Sequence, residues 1–409
     1  MAAMPRTTLV SAAALTLLAT ASACGPPRAS DGDETGESAE ETGPPPDLPL
    51  DPPQACVEIE RVIELGALEL CRVTPTGIVT SSDDEARQTV IHQLVGLAEL
   101  VEIGRVDNLG GCGGVLVHHS EADRIWLSDD GDWTGDDAPA VLRVLDGAGA
   151  LLDTIELRHE GLPMTSVSGI DHAGRLVLGG AIVDVSTPGL DPSFVQVRDA
   201  SGEILWTRLG FDSPGSELVT NDLGMLRAAE TSLAFLGTHL FTDSFRISLH
   251  VLDADDGSLR WDMLVAEDGL PSAYGLGVGP GDRVFFDHSA DDVQDMRVFD
   301  DAGALSLSQT VSRPGLSLRA SSGVRASDSA LFQLVGARNL DDLDEVQTHF
   351  IQRDLDGEVV CTARLEQLEG AQLWPFEVHG PTRALVGLHD ADPEGSDAIV
   401  VLRVGWQGG

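Results

Sequence analysis

Val251-Leu252-Asp253-Ala254-Asp255-Asp256-Gly257-Ser258-Leu259-Arg260-Trp261 reads as the end of one strand, an acidic turn closed by glycine, and the start of a second strand. The residues before it, Phe245 to Val251, alternate apolar and polar with a period of two, the pattern of a half-buried strand. The same element recurs at Val144 to Leu152 with Asp146 and Gly149, and at Val197 to Trp206 with Asp199 and Gly202. It returns at Val298 to Leu305 with Asp300 and Gly303, and at Gln352 to Val360 with Asp354 and Gly357. Asp and Gly suit such a turn because a carboxylate can accept N–H groups just ahead in the chain and glycine tolerates positive φ. The five glycines follow one another at intervals of 53, 55, 46 and 54 residues. One further step of 53 back reaches Gly96, between Thr89-Val90-Ile91 and Leu100-Val101-Glu102-Ile103, a weaker sixth copy.

A second column precedes each copy: Arg124-Ile125-Trp126, Arg175-Leu176-Val177, Ser232-Leu233-Ala234-Phe235, Arg283-Val284-Phe285, Ser329-Ala330-Leu331-Phe332 and Arg383-Ala384-Leu385-Val386. Two hairpins in roughly 50 residues make four strands per repeat, the signature of a β-propeller blade. The last copy runs out of chain before its outer strand, and Val57 to Glu64 is placed to supply it. The sequence therefore predicts an all-β propeller of four-stranded blades over residues 55–409, ring-closed by an N-terminal strand. Seven blades fit best, with six or eight as alternatives.

These blades resemble the PQQ-like and related bacterial propeller repeats, in which Trp stands four residues after the turn glycine. Trp206 and Trp261 match; Leu307 and Cys361 take that place in later copies, and Asp153 departs from it. The resemblance speaks to fold. PQQ-binding dehydrogenases also use a vicinal Cys-Cys disulfide and a calcium-bound cofactor, and this chain has no adjacent cysteines. No cofactor is expected.

The first residues show a single arginine, Arg6, then an apolar stretch ending in Ala21-Ser22-Ala23-Cys24. That is a signal peptide over residues 1–23, too short in its apolar part for a membrane span of about 20 residues. The exit resembles a bacterial lipobox, whose cysteine is lipidated and becomes the mature N-terminus; the same Ala-Ser-Ala also suits ordinary secretory cleavage. Residues 24–54 follow as an acidic, proline-rich tether with almost nothing apolar to bury, an extended disordered spacer. Gly25, rather than Asp, follows Cys24, which favours the outer membrane by the rule for enteric lipoproteins. Lipid, tether and ring share their layout with the lipoprotein propeller of outer-membrane assembly.

All 25 basic side chains are arginine, so Schiff-base lysine chemistry and the P-loop Gly-Lys are excluded. A net charge of −42 argues against nucleic acid as a partner. Without Cys24, four cysteines remain, Cys56, Cys71, Cys112 and Cys361, an even number suited to two disulfides in an exported protein. Blade positions favour Cys56 with Cys361 and Cys71 with Cys112; Cys56 with Cys71 is the runner-up. The acidic turns at 253–257 and 128–137 invite calcium, but neither has an EF-hand spacing, and turn chemistry explains them equally well. The pair His118-His119, if on a strand, points its rings to opposite faces and makes a poor shared metal site. Leu109 to Gly114 lacks the strand-to-helix setting of a dinucleotide loop, and no Gly-x-Ser-x-Gly elbow or His-Glu-x-x-His occurs.

With no catalytic motif in view, the expectation is a non-enzymatic envelope scaffold binding a protein or polymer through blade loops. The alternative is an enzyme, a hydrolase, lyase or quinoprotein-like protein, whose site is built from several blades at the channel. The address itself is testable: the mature protein should carry acyl mass on Cys24, and Cys24→Ala should release it from membranes. An unmodified Cys24 in intact-mass analysis contradicts lipidation.

Overall fold

A computed structural model describes residues 56–405 except 84, 108–114, 129–138, 183–192, 211–217, 242–244, 268–272, 291–292, 313–315, 328–329, 340–345, 369–371 and 390–395. The signal, Cys24, the tether, Cys112 and nearly all of the acidic turn at 128–137 lie outside the described residues.

The described strands form seven antiparallel sheets, each a blade, so the propeller and its blade count follow the sequence reading. From inner to outer strand, the first blade is Glu69–Val73, Ile78–Asp83, Gln88–Val95 and Glu99–Asp107. The second is Leu116–His119, Arg124–Ser128, Val141–Asp146 and Leu151–Glu156. The third is Leu162–His172, Arg175–Ile182, Ser193–Arg198 and Ile204–Leu209, with a two-residue strand, Arg158–His159, added on its inner side. The fourth is Leu218–Ala228, Ser232–Phe241, Phe245–Asp253 and Leu259–Glu267. The fifth is Ala273–Gly279, Arg283–Ala290, Val293–Phe299 and Leu305–Ser312. The sixth is Leu316–Ala326, Leu331–Asn339, Val346–Arg353 and Val359–Arg364. The seventh is Gln372–Val378, Arg383–His389 and Ala398–Val404, completed by Val57–Glu64. That last pairing runs from Val57 opposite Val404 to Glu64 opposite Ala398.

Burial explains which segments became which strand. Middle strands lie between neighbouring blades, so Arg175–Ile182 and Ser193–Arg198 are buried almost throughout and are rich in Val, Leu and Phe. Outer strands face solvent, and Leu151–Glu156 is exposed along nearly its whole length. The hydrophobic clusters accordingly straddle pairs of blades. Phe332 and Phe350 of the sixth blade share a cluster with Phe376, Val386 and Leu402 of the seventh. Leu236 and Leu249 of the fourth pack with Leu276 and Phe286 of the fifth.

The Asp–Gly turns join the third and outer strands of a blade. In each of five copies the glycine N–H donates to the aspartate carbonyl at 2.9–3.0 Å. The carboxylate Oδ1 accepts N–H groups ahead of it: Ala148 and Ala150 for Asp146, Ser201 and Glu203 for Asp199, Asp255 for Asp253, Ala302 and Ala304 for Asp300, Asp356 and Glu358 for Asp354. The glycines have φ of 72 to 92°, and they are also the floor of a joint with the preceding blade. A Cβ on Gly257 would stand 2.7 Å from the Trp206 ring, and one on Gly303 would stand 2.8 Å from Trp261. Trp206 Nε1–H donates to Ala254 O at 3.3 Å, and Trp261 Nε1–H to Asp301 O at 3.1 Å. Each Trp therefore docks on the next blade's turn. Leu307 plays the same part against Gly357.

The departures from this column have physical substitutes. Where Asp153 stands in place of Trp, Ile155 and the buried Trp126 cover Gly202 instead. Between the sixth and seventh blades, Cys361 occupies the Trp position and forms a disulfide with Cys56, one residue before the closing strand. The runner-up pairing of Cys56 with Cys71 is thereby excluded. Cys71, on the innermost strand of the first blade, is also disulfide-bonded.

The Cys56–Cys361 bond spans 305 residues and locks the ring-closing strand to the sixth blade. A cross-link of this kind stabilises by about 2–4 kcal/mol, mainly by restricting the unfolded chain. Cys361→Ser and the double variant Cys56→Ser/Cys361→Ser should therefore lower the Tm together and by similar amounts. An unchanged Tm in both would show that the closing strand holds without the bond.

Candidate functional site

The inner strands converge on a central channel, and at the end carrying the Asp–Gly turns they enclose a cavity of about 430 Å³. Its polar side chains come from five blades: Thr74 and Thr76 from the first, His118 from the second, Asp171 from the third, Arg227 from the fourth and Glu377 from the seventh. Apolar residues such as Leu116, Ile170 and Val278 complete the lining between them. Every inner strand reaches this level as it approaches its first hairpin, which is why residues 300 positions apart in sequence meet here.

His118 and His119 do part company. His118 faces the cavity, its Nδ1 2.8 Å from Thr76 Oγ1, and Thr76 Oγ1 lies 2.8 Å from Thr74 Oγ1. Burial lowers the His118 pKa, and the nearby Asp123 opposes that. His119 is buried on the other side, with Nδ1 3.3 Å from Asp171 Oδ1 and Gly174 packed on its ring. Burial raises the Asp171 pKa, and His119 pulls it the other way. Arg227 is held by backbone: its Nε–H donates to Leu276 O of the fifth blade at 3.1 Å and its Nη1–H to Leu226 O at 2.6 Å. His379, beside the seventh blade's inner strand, meets Pro75 O through Nδ1 at 2.7 Å and ties the mouth of the cavity together.

Among the described residues, no group of three or more His, Cys, Asp or Glu is placed to hold a metal ion. The carboxylates of the turn at 253–257 are engaged within the fold. Asp253 meets the Asp255 N–H and the Arg260 guanidinium, and Asp256 accepts the Ser258 N–H. None of the Asp–Gly turn residues lines the cavity.

Two other polar clusters lie between blades. His239 Nε2 and His250 Nε2 flank Ser248 Oγ at 2.6 and 2.7 Å, and His250 stacks on Phe235. Burial drives the His250 pKa down to about 4. Between the fifth and sixth blades, fully buried Asp287 accepts Gln294 Nε2 at 3.0 and 3.2 Å and also Gln333 Nε2. Arg353, 1% exposed, lies nearby and bonds Gln309 and the Gly357 carbonyl. Burial pushes Asp287 up to about 6, against the two glutamines and the charge of Arg353. Sequence reasoning passed over these residues and the cavity, because buried Asp and Arg look like surface residues in a linear chain and inner-strand convergence leaves no local motif.

No protein-family model matches the chain, and no curated protein is similar to it in sequence. Among solved structures, the WD40 β-propeller domain of Doa1 superposes with a TM-score of 0.48 at 9% identity, over 85% of this chain and 97% of that one. A structure from a study of two prolyl endopeptidases has a TM-score of 0.48 at 12% identity, over 83% of this chain and 50% of the other. Dihydro-heme d1 dehydrogenase NirN has 0.46 at 14% identity, over 82% and 67%. These likenesses are of fold alone. The chain is a seven-bladed β-propeller.

Asp287 generates a pH prediction. Its folded pKa, about 6, lies above the ordinary 3.8, so its stabilising contribution is complete below pH 3.8 and is lost as pH rises to about 6. The total is roughly 3 kcal/mol. His250 changes stability oppositely in an overlapping range, so the comparison must be with Asp287→Asn. Wild-type Tm relative to that variant should fall between pH 3.8 and 6 and stay level above. A difference independent of pH contradicts the shift.

Proposed function

We propose that this chain is a lipid-anchored envelope protein whose propeller serves as a rigid scaffold for binding another envelope protein or an envelope polymer. The observation that carries the reading is where the chain enters the ring. Val57 opens the outermost strand of the seventh blade, and the acidic tether from Cys24 precedes it directly. The chain therefore joins the ring at its outermost strand, and closure through the same strand makes the ring rigid. We assign the repeats to the PQQ-like group on the Asp–Gly turn and the docked Trp206 and Trp261.

The second strand of each blade ends on the face opposite the Asp–Gly turns, as at Asp83 in the first blade and Ser128 in the second. Loops on a rigid frame are where binding concentrates, and this face is the proposed contact surface. Cross-linking and capture from the envelope should recover a protein or polymer with the wild type, and much less with the double variant Glu85→Arg/Arg87→Glu, whose exposed side chains lie on this face between the second and third strands of the first blade. Recovery of nothing, or equal recovery from both, contradicts the scaffold reading.

A second reading, an enzyme acting in the channel, has one observation in its favour: Thr76 Oγ1 and His118 Nδ1 are within hydrogen-bonding distance, as a nucleophile and its base must be. Turnover abolished by both Thr76→Val and His118→Gln would establish it.

A further inference from the structure

We propose that the channel cavity binds a small zwitterion with an apolar body, a hydrophobic amino acid or short peptide carrying a free carboxylate and a free ammonium. This goes beyond the scaffold reading and does not depend on it.

Arg227 brings a positive charge to the cavity. Its guanidinium lines the cavity, half-buried, and backbone carbonyls hold two of its nitrogens, Nε and Nη1. Among the described residues no carboxylate lies within ion-pair distance of it, in a chain whose net charge is −42. A partly desolvated guanidinium with a fixed orientation and no carboxylate partner among the described residues is set to receive an anionic oxygen, because its planar fork matches a carboxylate.

A simple anion is nonetheless a poor occupant. Asp171 stands on the neighbouring third blade, and Glu377 comes from the seventh, three blades from Arg227 in a ring of seven and so on the far wall. A simple cation meets the opposite objection at Arg227. A zwitterion suits both walls, with its carboxylate on Arg227 and its ammonium in the field of Glu377 and of Asp171, whose Oδ1 also meets His119 Nδ1 at 3.3 Å. Leu116, Ile170 and Val278, all partly exposed, then offer an apolar surface to the body between the two charges. His118, tied to Thr76 through Nδ1, presents its other nitrogen as a neutral hydrogen-bonding group. The volume of about 430 Å³ falls in the range of small-molecule sites, which are mostly apolar with a few fixed polar groups.

The test is calorimetric titration of the mature protein with L-leucyl-L-leucine, its N-acetyl form and its C-terminal amide. The free dipeptide should bind saturably with one site per chain, and each capped form should bind about tenfold more weakly or worse. Arg227→Gln should erase the discrimination between the dipeptide and its amide, and Glu377→Gln that between the dipeptide and its acetyl form. Each variant is checked by its thermal transition, and the capped ligands test the claim on the wild type should either variant fail to fold. No binding of the dipeptide at millimolar concentration overturns the proposal. So does equal binding of all three ligands, or preference for a single-charge form.

Discussion

Closure of the ring by the N-terminal strand is the constraint on which the rest of the structure depends. In a propeller the middle strands are buried only because blades stand on both sides of them, so an open ring would expose two blade faces at once. Val57–Glu64 prevents this by pairing with Ala398–Val404, bringing the first described strand to the last. The hydrophobic clusters depend on the same event. Leu385, Ile399 and Val401 of the seventh blade pack with Leu70, Val73 and Val79 of the first, a contact that exists only in the closed ring.

Between blades, a repeated device transmits this order. Except at Asp153, the residue four places after the turn glycine reaches across to the following blade, and a glycine met there lacks the Cβ that would keep a Trp or Leu side chain away. Trp206, Trp261 and Leu307 use dispersion and, for the tryptophans, an indole N–H bond. At the last joint the neighbour is the closing strand, which arrives from the far end of the chain, and Cys361 replaces packing with a covalent bond to Cys56. The substitution falls at a joint whose two sides are 305 residues apart, where loop-closure entropy is large.

What was legible in the sequence were the features that need particular residues in order. An Asp carboxylate accepting N–H groups ahead of it, and a glycine at positive φ, cannot be replaced by arbitrary polar residues, so their columns set the repeat and the blade count. The opposite orientation of His118 and His119 was legible for a similar reason, since a strand alternates. Trp126 was visible as a strand residue, yet its service as a substitute cover for Gly202 was not, because that follows from a neighbouring strand rather than from spacing. Buried Asp287 and Arg353 were hidden by type: charged residues are read as exposed until packing shows otherwise. The cavity, assembled from inner strands of at least five blades, has no local signature at all.

A ring closed in this way opens only when the whole protein unfolds. Native-state hydrogen exchange reads this directly at the closing strand. The hydrogen-bonded amides of Val57–Glu64 and Ala398–Val404 should exchange with the same free energy as the buried amides of Arg175–Ile182, across the ring, and that value should equal the global unfolding free energy. Exchange of Val57–Glu64 at a much lower free energy, with the rest of the ring still protected, would show that the N-terminal strand is an accessory to a ring held by other means.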